Sequence, residues 1–297
     1  VNNITVANGT MKIYGDYPYN ITDEGHGQIW NSTDGNITVG DGGTLDGNGL
    51  GFNVSAGPGF ASGEGAHGGS ASGFLQQPYG NASAPTSLGS GGSEGDGDGG
   101  SGIKLIAEDA IIIDGNLTFE GGYTAGCCGN TGAGGSIWLK ADNITGSGFI
   151  SAMGGYGGHG SGGGGRIRLE YGSTMYYTGF VSVAAHLVSR GYDGSLTFTN
   201  NTWPGDWTLN GTIGLLGGDY GEGDVINVEG NLDTNDYNVS IYGDCYFNSG
   251  NITTCYNSTT NGKGVWINAS GNITISNSTV LYGEGIGFPG VDGPGYS

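Results

Sequence analysis

Three segments in the middle of the chain alternate apolar and polar residues with a period of two. They read IKLIA from Ile103, IWLKA from Ile137 and IRLEY from Ile167, so successive segments start 34 and 30 residues apart. This alternation places Ile, Leu and Ala or Tyr on one face and charged or aromatic residues on the other, which predicts half-buried β-strands. No stretch shows the 3.6-residue periodicity of an amphipathic helix.

A second apolar piece follows each of these segments at a similar spacing. The pieces are GNLTFEGG from Gly115, GFISAMGG from Gly148 and GFVSVAA from Gly179. Units of this size are too small to bury a core alone, so the pattern predicts an all-β chain whose coils stack as a β-solenoid, similar to a parallel β-helix. A β-sandwich array is the alternative, although it does not explain why whole units repeat in register.

A longer repeat links the two ends of the chain. Residues 27–61 align without a gap onto 263–297, with 13 of 35 positions identical, including a tryptophan, a phenylalanine and a Gly-Pro-Gly. We therefore predict a first copy of a repeated β segment at 1–61, a glycine-rich solenoid module at 62–190, and a connecting β segment with the second copy at 191–297.

Glycine supplies 69 of the 297 residues, about three times its usual share. Glycine tracts precede the predicted strands at 89–102, 129–135 and 154–165. Ordering a glycine costs extra backbone entropy, so something must offset it. We interpret the tracts as returns between coils that pack closely where no side chain fits, with their N–H and C=O groups paired between neighbouring tracts.

The charge balance excludes some classes of partner. Seven Lys and Arg stand against 27 Asp and Glu, a formal net charge of −20, which repels phosphate backbones and anionic head groups. We expect no nucleic-acid partner. The longest apolar candidate, residues 103–113, is interrupted by Lys104, Glu108 and Asp109, so no membrane span is predicted within this sequence.

Asn-X-Ser/Thr sequons are far more frequent than chance predicts. Ser and Thr make up 50 residues, so roughly four of the 26 asparagines would fall in sequons by chance. Seventeen do: Asn3, Asn8, Asn20, Asn31, Asn36, Asn53, Asn81, Asn116, Asn143, Asn200, Asn210, Asn238, Asn251, Asn257, Asn268, Asn272 and Asn277. A preference of strand edges for Asn and Thr explains part of the excess. The remainder predicts covalent N-glycans on an exported chain at the cell surface.

Four cysteines occur, and an exported chain makes disulfides the default. Cys245 and Cys255 close a short loop, so we expect a bridge between them. The vicinal Cys127 and Cys128 are predicted to bond each other, to bond another chain, or to stay reduced. A zinc site is disfavoured because no histidine lies at ligand spacing from the cysteines.

Acidic glycine-rich stretches raise the question of a metal. Asp41, Asp46, Asp96 and Asp98 are the candidate calcium ligands, since carboxylate oxygens in turns suit that ion. Neither stretch matches an established calcium-binding loop, and acidic turns are common without metal. No other cofactor is expected.

Catalytic motifs are absent from the sequence. We predict solvated loop positions for the four histidines, His26, His67, His159 and His186, which no serine elbow, paired-histidine motif or phosphate loop accompanies. Asp193, Asp206, Asp224 and Arg190 are candidate acids and base for a β-helical polysaccharide lyase or hydrolase, but nothing fixes them on one face. We therefore expect no enzyme.

Aromatic residues offer a recognition chemistry. Trp138 lies on the outward phase of its strand, where we expect an interface or a covering glycine tract. Trp203 and Trp207 flank a turn in TWPGDW. Exposed aromatic rings stack on sugars or anchor a neighbouring chain.

The stretch GGSIWLKADNITGSGFISAMGGYGGHGSGGGGRIRLEY, residues 134–171, resembles a glycine-rich module of large exported prokaryotic surface proteins with β-helical repeats. The sequon density and the scarcity of lysine resemble archaeal cell-surface, sheath or extracellular filament proteins. The module spans about residues 89–190, and elsewhere the resemblance is compositional. It implies a structural or adhesive role and carries no catalytic residue.

The leading hypothesis is a structural subunit of an extracellular filament, sheath or surface layer, which polymerises with copies of itself. Asn3–Val6 and Ile273–Ile275 are strand-like, so each end can accept a strand from a neighbour. The alternatives are a monomeric adhesin or carbohydrate-binding stalk, and a polysaccharide lyase or hydrolase.

Overall fold

The computed structural model describes most of the first two-thirds of the chain: residues 3–16, 23–60, 63–71, 77–93, 95, 97–123, 130–157, 160–177, 179–185, 191 and 194–199. Beyond these it describes residues 207–208, 213–216, 225–228, 232–233, 239–242, 244–247, 250–253, 267–269, 272–277 and 279–282. All regular secondary structure in this part of the chain is β-strand, as the sequence predicts.

The chain divides into two compact units, Val1–Asn200 with Gly218–Gly221 and Asn201–Gly217 with Glu222–Ser297. The strands of the first unit are β1 (Ile4–Lys12), β2 (Gln28–Ser32), β3 (Ile37–Asp46), β4 (Gly102–Ala107), β5 (Ala110–Ile113), β6 (Asn116–Thr118), β7 (Ser136–Gly146), β8 (Phe149–Ser151), β9 (Arg166–Tyr177), β10 (Phe180–Ser182) and β11 (Ser195–Thr199). The three alternating segments are thus the starts of β4, β7 and β9, and the second apolar pieces contain β6, β8 and β10.

The strands of the first unit form three parallel ladders. One joins β2, β4, β7, β9 and β11. The second joins the first halves of β1 and β3 to β5 and then to the second halves of β7 and β9. The third joins the second halves of β1 and β3 to β6, β8 and β10. Each ladder runs in register from one strand to the next, so equivalent residues lie in columns.

The columns are chemically uniform because one face of each ladder is buried. In the first ladder Ile103, Ile137 and Ile167 lie in one column, and the second and third ladders have columns of the same kind. Almost all of these side chains are fully buried. Each such Ile or Leu contributes roughly 1.5–3 kcal/mol by leaving water. A slip of one residue would turn a whole column outward, so burial fixes the register.

The strands of the second unit are also parallel and in register. They are β12 (Trp207–Thr208), β13 (Ile213–Leu216), β14 (Val225–Val228), β15 (Leu232–Asp233), β16 (Val239–Tyr242), β17 (Asp244–Phe247), β18 (Gly250–Thr253), β19 (Ile267–Ala269), β20 (Ile273–Ile275) and β21 (Thr279–Tyr282). They form one ladder of β12, β15, β18 and β21, a second of β14, β17 and β20, and a third of β13, β16 and β19.

The secondary structure follows the long sequence repeat. Shifted by 236 residues, β3 covers residues 273–282, and β20 and β21 are the two ends of that span. In both copies the first end and the second end pair with different strands. Within the described residues, antiparallel pairing is confined to two isolated bridges, Asp16–His26 and Tyr156–Ser161. A Greek-key sandwich would need antiparallel strand pairs throughout.

The glycine tracts pack against one another as predicted. Gly100 N–H donates to the carbonyl of Ala133 at 2.8 Å, and Gly134 N–H donates to the carbonyl of Gly163 at 3.0 Å. Gly65, in the long connection between β3 and β4, donates to Thr131 and accepts from Gly163. The backbone groups of the tracts are therefore satisfied by backbone, which makes these segments ordered packing elements.

Columns of glycine run beside the columns of Ile and Leu. A Cβ at Gly135 would lie 1.7 Å from the carbonyl oxygen of Ser101, one at Gly165 would lie 2.1 Å from that of Gly135, and one at Gly194 would lie 1.8 Å from that of Gly165. A second column, Gly115, Gly148 and Gly179, has the same geometry, with contacts of 2.0–2.2 Å. The obstructing atoms belong to backbone, so they have no side-chain freedom to yield.

A methyl group in one of these columns should destabilise the first unit. We expect Gly165→Ala to lower the free energy of unfolding by about 3 kcal/mol, because the added methyl group would overlap the backbone carbonyl of Gly135. Gly40→Ala is the matched control. The atom nearest to its added Cβ would be the carbonyl oxygen of Ala7, 3.2 Å away, so this change should lower the free energy of unfolding by under about 1 kcal/mol. Urea denaturation followed by circular dichroism measures both, and equal losses would contradict the packing argument.

Candidate functional site

Several strands end a ladder in the described part of the chain, and two of these edges, that of β1 and that of β20 with β21, expose apolar side chains. At one edge, β1 pairs with β3 and with no other described strand. At the other, β20 pairs with β17 and β21 pairs with β18, and neither pairs with a further strand among the described residues. We call them the β1 edge and the β20–β21 edge. In a parallel ladder half of the N–H and C=O groups of such a strand face away from its neighbour, so both edges offer backbone hydrogen-bonding groups.

The β20–β21 edge exposes apolar side chains that the fold buries elsewhere. Ile273, Ile275 and Leu281 are 42%, 44% and 55% exposed. Their counterparts in the first copy of the repeat are Ile37, Val39 and Leu45, whose exposure is 0%. The first-copy strand has neighbours on both sides, β1 on one and β5 with β6 on the other. Equivalent apolar side chains are thus fully buried in the first copy of the repeat and about half exposed in the second.

The β1 edge is also apolar on its inward phase. Ile4 is half-buried, Val6 is buried, and Met11 is 46% exposed. Lys12 is the one charged residue of β1, and its Nζ lies 2.5 Å from Asp46 Oδ2 of β3. The edge therefore carries no uncompensated charge.

The outward face of the first ladder carries a cluster of basic residues around Trp138. Lys104 Nζ lies 3.3 Å from the centre of the Trp138 ring, and Arg168 Cζ lies 4.7 Å from it. These two residues flank Trp138 on the adjacent strands, an arrangement that cation–π attraction stabilises. The sequence predicts an interface or a glycine tract over Trp138. Within the described residues two cations lie over the ring, and an interface with another chain at Trp138 stays a prediction.

Glu170 completes this outward cluster. It accepts hydrogen bonds from Lys140 Nζ at 2.6 Å and from Trp138 Nε1 at 3.2 Å. Burial opposes ionisation of Glu170, but the bond from Lys140 and the charge of Arg168 outweigh it and hold the pKa of this carboxyl below its usual value. Partial burial, together with the charges of Lys140 and Arg168, lowers the pKa of Lys104. The cluster is an internally satisfied surface network.

A second cluster lies buried beneath the glycine tracts. Arg166 donates to the backbone carbonyl of Tyr79 from Nε and Nη2, at 3.0 and 2.7 Å, and from Nη1 to Ser195 Oγ at 3.0 Å. His67 Nδ1 lies 2.7 Å from the carbonyl oxygen of Gly134. A carbonyl oxygen can only accept, so Nδ1 carries the proton of the neutral ring. This cluster ties the long β3–β4 connection to the strands.

His67 corrects the prediction that all four histidines are solvated. Its side chain is fully buried, and desolvation, followed by the charge of Arg166, lowers its pKa to about 3. His26 is exposed, as predicted, whereas His159 and His186 lie outside the described residues. Neither the burial of His67 nor that of Arg166 has a signal in the sequence, because both residues stand among glycines that pack only in three dimensions.

Every sequon asparagine whose side chain is described reaches the surface. Asn36 and Asn143 are half-buried, and the others are exposed: Asn3, Asn8, Asn31, Asn53, Asn81, Asn116, Asn272 and Asn277. At Asn81 the hydroxyl of Ser83 donates to Oδ1 at 2.7 Å, so the sequon hydroxyl contacts the side chain that would carry the sugar. The side chains of Asn251 and Asn268 are not described, and five sequons lie outside the described residues: Asn20, Asn200, Asn210, Asn238 and Asn257.

The candidate calcium ligands Asp98 and Asp46 bond to different groups. Asp98 Oδ1 accepts from Val54 N–H at 2.6 Å, and Asp46 binds Lys12 and Asn48 N–H. Asp41 is exposed, and Asp96 lies outside the described residues. Among the residues that are described, no three His, Cys, Asp or Glu side chains form a group able to hold a metal.

Several predicted residues lie where the structure gives no account. Cys127, Cys128 and Cys255 are outside the described residues, and for Cys245 only its place in β17 is described. Both bridge hypotheses therefore stay predictions. The same holds for the candidate catalytic residues Asp193, Asp206, Asp224 and Arg190, and for Trp203, while Trp207 is described only as the start of β12.

Comparison with known proteins gives no relative. No protein-family model, curated protein or solved structure matches the chain. In the part of the chain that the structure describes, no helix has the length and apolarity needed to cross a bilayer.

Burial of neutral His67 should make stability depend on pH. The folded state keeps the ring unprotonated down to about pH 3, whereas the unfolded chain binds a proton near pH 6.5. This contribution is therefore complete above pH 6.5 and is lost as pH falls toward 3, at up to about 1.4 kcal/mol per pH unit.

Replacement of the ring should flatten this dependence. We expect His67→Gln, which keeps a donor for Gly134, to lose most of the decline in unfolding free energy between pH 6.5 and 4. His26→Gln, at an exposed histidine, should retain it. Urea midpoints measured across that pH range distinguish the two, and a parallel decline in His67→Gln would show that other groups govern acid stability.

Proposed function

We propose that the chain forms a β-solenoid and serves as a structural subunit of an extracellular filament, sheath or surface layer. Three parallel in-register ladders, joined by returns that hydrogen-bond to one another, support the solenoid. A coil would comprise one strand from each ladder plus a glycine return. The role proposed is geometric, so no catalytic residue is assigned to it.

The observation that carries the proposal is the difference between the two copies of the repeat. Ile37, Val39 and Leu45 are fully buried between strands, while Ile273, Ile275 and Leu281 are about half exposed. A row of apolar residues on a strand whose outer side faces no described strand is a template for another strand. A subunit that polymerises would cover this row in the way the first copy is covered.

Surface chemistry supports an exported location. Every sequon asparagine whose side chain is described is exposed or half-buried, which favours access for glycan attachment. Asn31, Asn116 and Asn143 lie in strands, where side chains stand perpendicular to the sheet. Glycans there would cover the faces of the sheet and leave the strand edges open. The proposal agrees with the resemblance to glycosylated archaeal surface proteins.

Assembly should depend on the inward phase of β21. We expect the purified full chain to form filaments or sheets with a regular repeat in negative-stain electron microscopy. Leu281→Lys should leave single particles, because it buries a charge at the contact.

Val280→Lys is the matched control for this substitution. Val280 is 53% exposed, nearly the same as Leu281, but it is the counterpart of Thr44 and lies on the opposite phase of the strand. Filaments should survive this change. If the parental chain forms no assemblies, or if both lysine variants assemble normally, the proposed function is wrong.

The glycan proposal has its own test. The native protein should lose mass on enzymatic or chemical removal of N-glycans, and peptide mapping should find modified Asn81. Asn81→Gln should remove that modification and leave the strand structure unchanged, since Asn81 is exposed and lies outside the ladders. An intact mass equal to that of the bare polypeptide would contradict glycosylation.

A further inference from the structure

The repeat and the strand register together identify the strand that covers the β20–β21 edge. We propose that this strand is β1 of a second copy, joined head to tail with Ile4 beside Ile273, Val6 beside Ile275 and Met11 beside Leu281. The inference rests on the proposed assembly and adds the identity of the two mating edges and their register.

The register follows from a pairing already present in the chain. Within one molecule β1 pairs with β3, with Ile4 beside Ile37, Val6 beside Val39 and Met11 beside Leu45. The repeat maps those three β3 residues onto Ile273, Ile275 and Leu281. The sequence of β1 therefore already fits the side-chain pattern that the β20–β21 edge exposes.

The side of the contact is fixed by the strands that are already paired. The strands β17 and β18 occupy one side of β20 and β21, so an incoming strand must take the other. In the first copy that other side of β3 is filled by β5 and β6, which bring Ile111, Ile113 and Leu117. A second copy would bring Ile4, Val6 and Met11, which continue the same three apolar columns.

Spacing along the strand also agrees. Between Val6 and Asn8 the pairing of β1 with β3 shifts register, so that Ala7 of β1 stands against two residues of β3. The span from Ile275 to Thr279 has the same length as that from Val39 to Gly43. Both halves of β1 can therefore meet their columns at once, which a strand without this irregularity would not do.

Charge favours this contact over others on the same surface. Two copies, each with a net charge of −20, repel each other over most approaches. Neither β20 nor β21 contains a charged residue, and Lys12 of β1 is paired with Asp46. The apolar columns also specify register, because a slip of one residue would set Thr5 against Ile273.

Head-to-tail pairing joins two different edges, so the copies form a closed ring only if the rotation from one copy to the next sums to a full turn. Each added copy would present a fresh β20–β21 edge, so the contact propagates. A filament is the expected product, with one chain as its repeating element.

A cross-link between outward residues tests the register. Thr5 and Thr274, both exposed, would be direct neighbours with Cα atoms about 4.8 Å apart, within the 4.4–6.8 Å range of disulfides. After mild oxidation with oxidised glutathione, the double variant Thr5→Cys with Thr274→Cys should give a ladder of covalent multimers on a non-reducing denaturing gel. The parental chain, treated identically, gives the background from native cysteines.

The control shifts the register by two residues on the same face. Thr5→Cys with Asn272→Cys removes the same two sequons, but its Cα atoms would lie about 8 Å apart, too far to bridge, so we expect about tenfold fewer multimers. If the parental chain assembles and this pair cross-links equally well, or if neither pair cross-links, the inferred joint is wrong and the proposed function stands. If the parental chain does not assemble, the proposed function fails with it.

Discussion

Direct contact between backbones is the constraint on which the first unit depends. Parallel strands in a ladder lie about 4.8 Å apart, and the returns that connect them must keep that spacing. Gly135, Gly165 and Gly194 each lie so close to the carbonyl of the preceding return that a Cβ would overlap it. The apolar columns can form only where the returns let neighbouring strands lie at this spacing. The columns of buried Ile and Leu therefore depend on the columns of glycine.

The sequence was most informative where local pattern and repetition agreed. Alternation predicted β4, β7 and β9, and the spacing predicted that they are equivalent, because a buried face forces period two along the strand and identity between strands. The repeat likewise placed β20 and β21. Parallel pairing is consistent with that prediction, since equivalent positions in successive segments lie side by side.

The sequence did not predict which residues of distant segments contact each other. His67 and Arg166 share a buried cluster although 99 positions separate them, and glycine neighbours give no periodic signal of burial. Trp138 was correctly placed on the outward phase, but its cover comes from Lys104 and Arg168 on adjacent strands. The exposure of the β20–β21 edge was equally hidden, because the same residue pattern is buried in the first copy and only the neighbouring strands differ.

The glycine columns also limit how such a chain can change over time. At a column glycine even one added methyl group exceeds the available space. Gradual replacement of these glycines by larger residues is therefore blocked. Copying a complete strand-and-return segment also copies its glycines, so strands are added to the ladders without placing a side chain in the glycine columns. Lengthening by duplication is thus the permitted evolutionary step for this architecture, and the 13 identities between residues 27–61 and 263–297 fit a history of that kind.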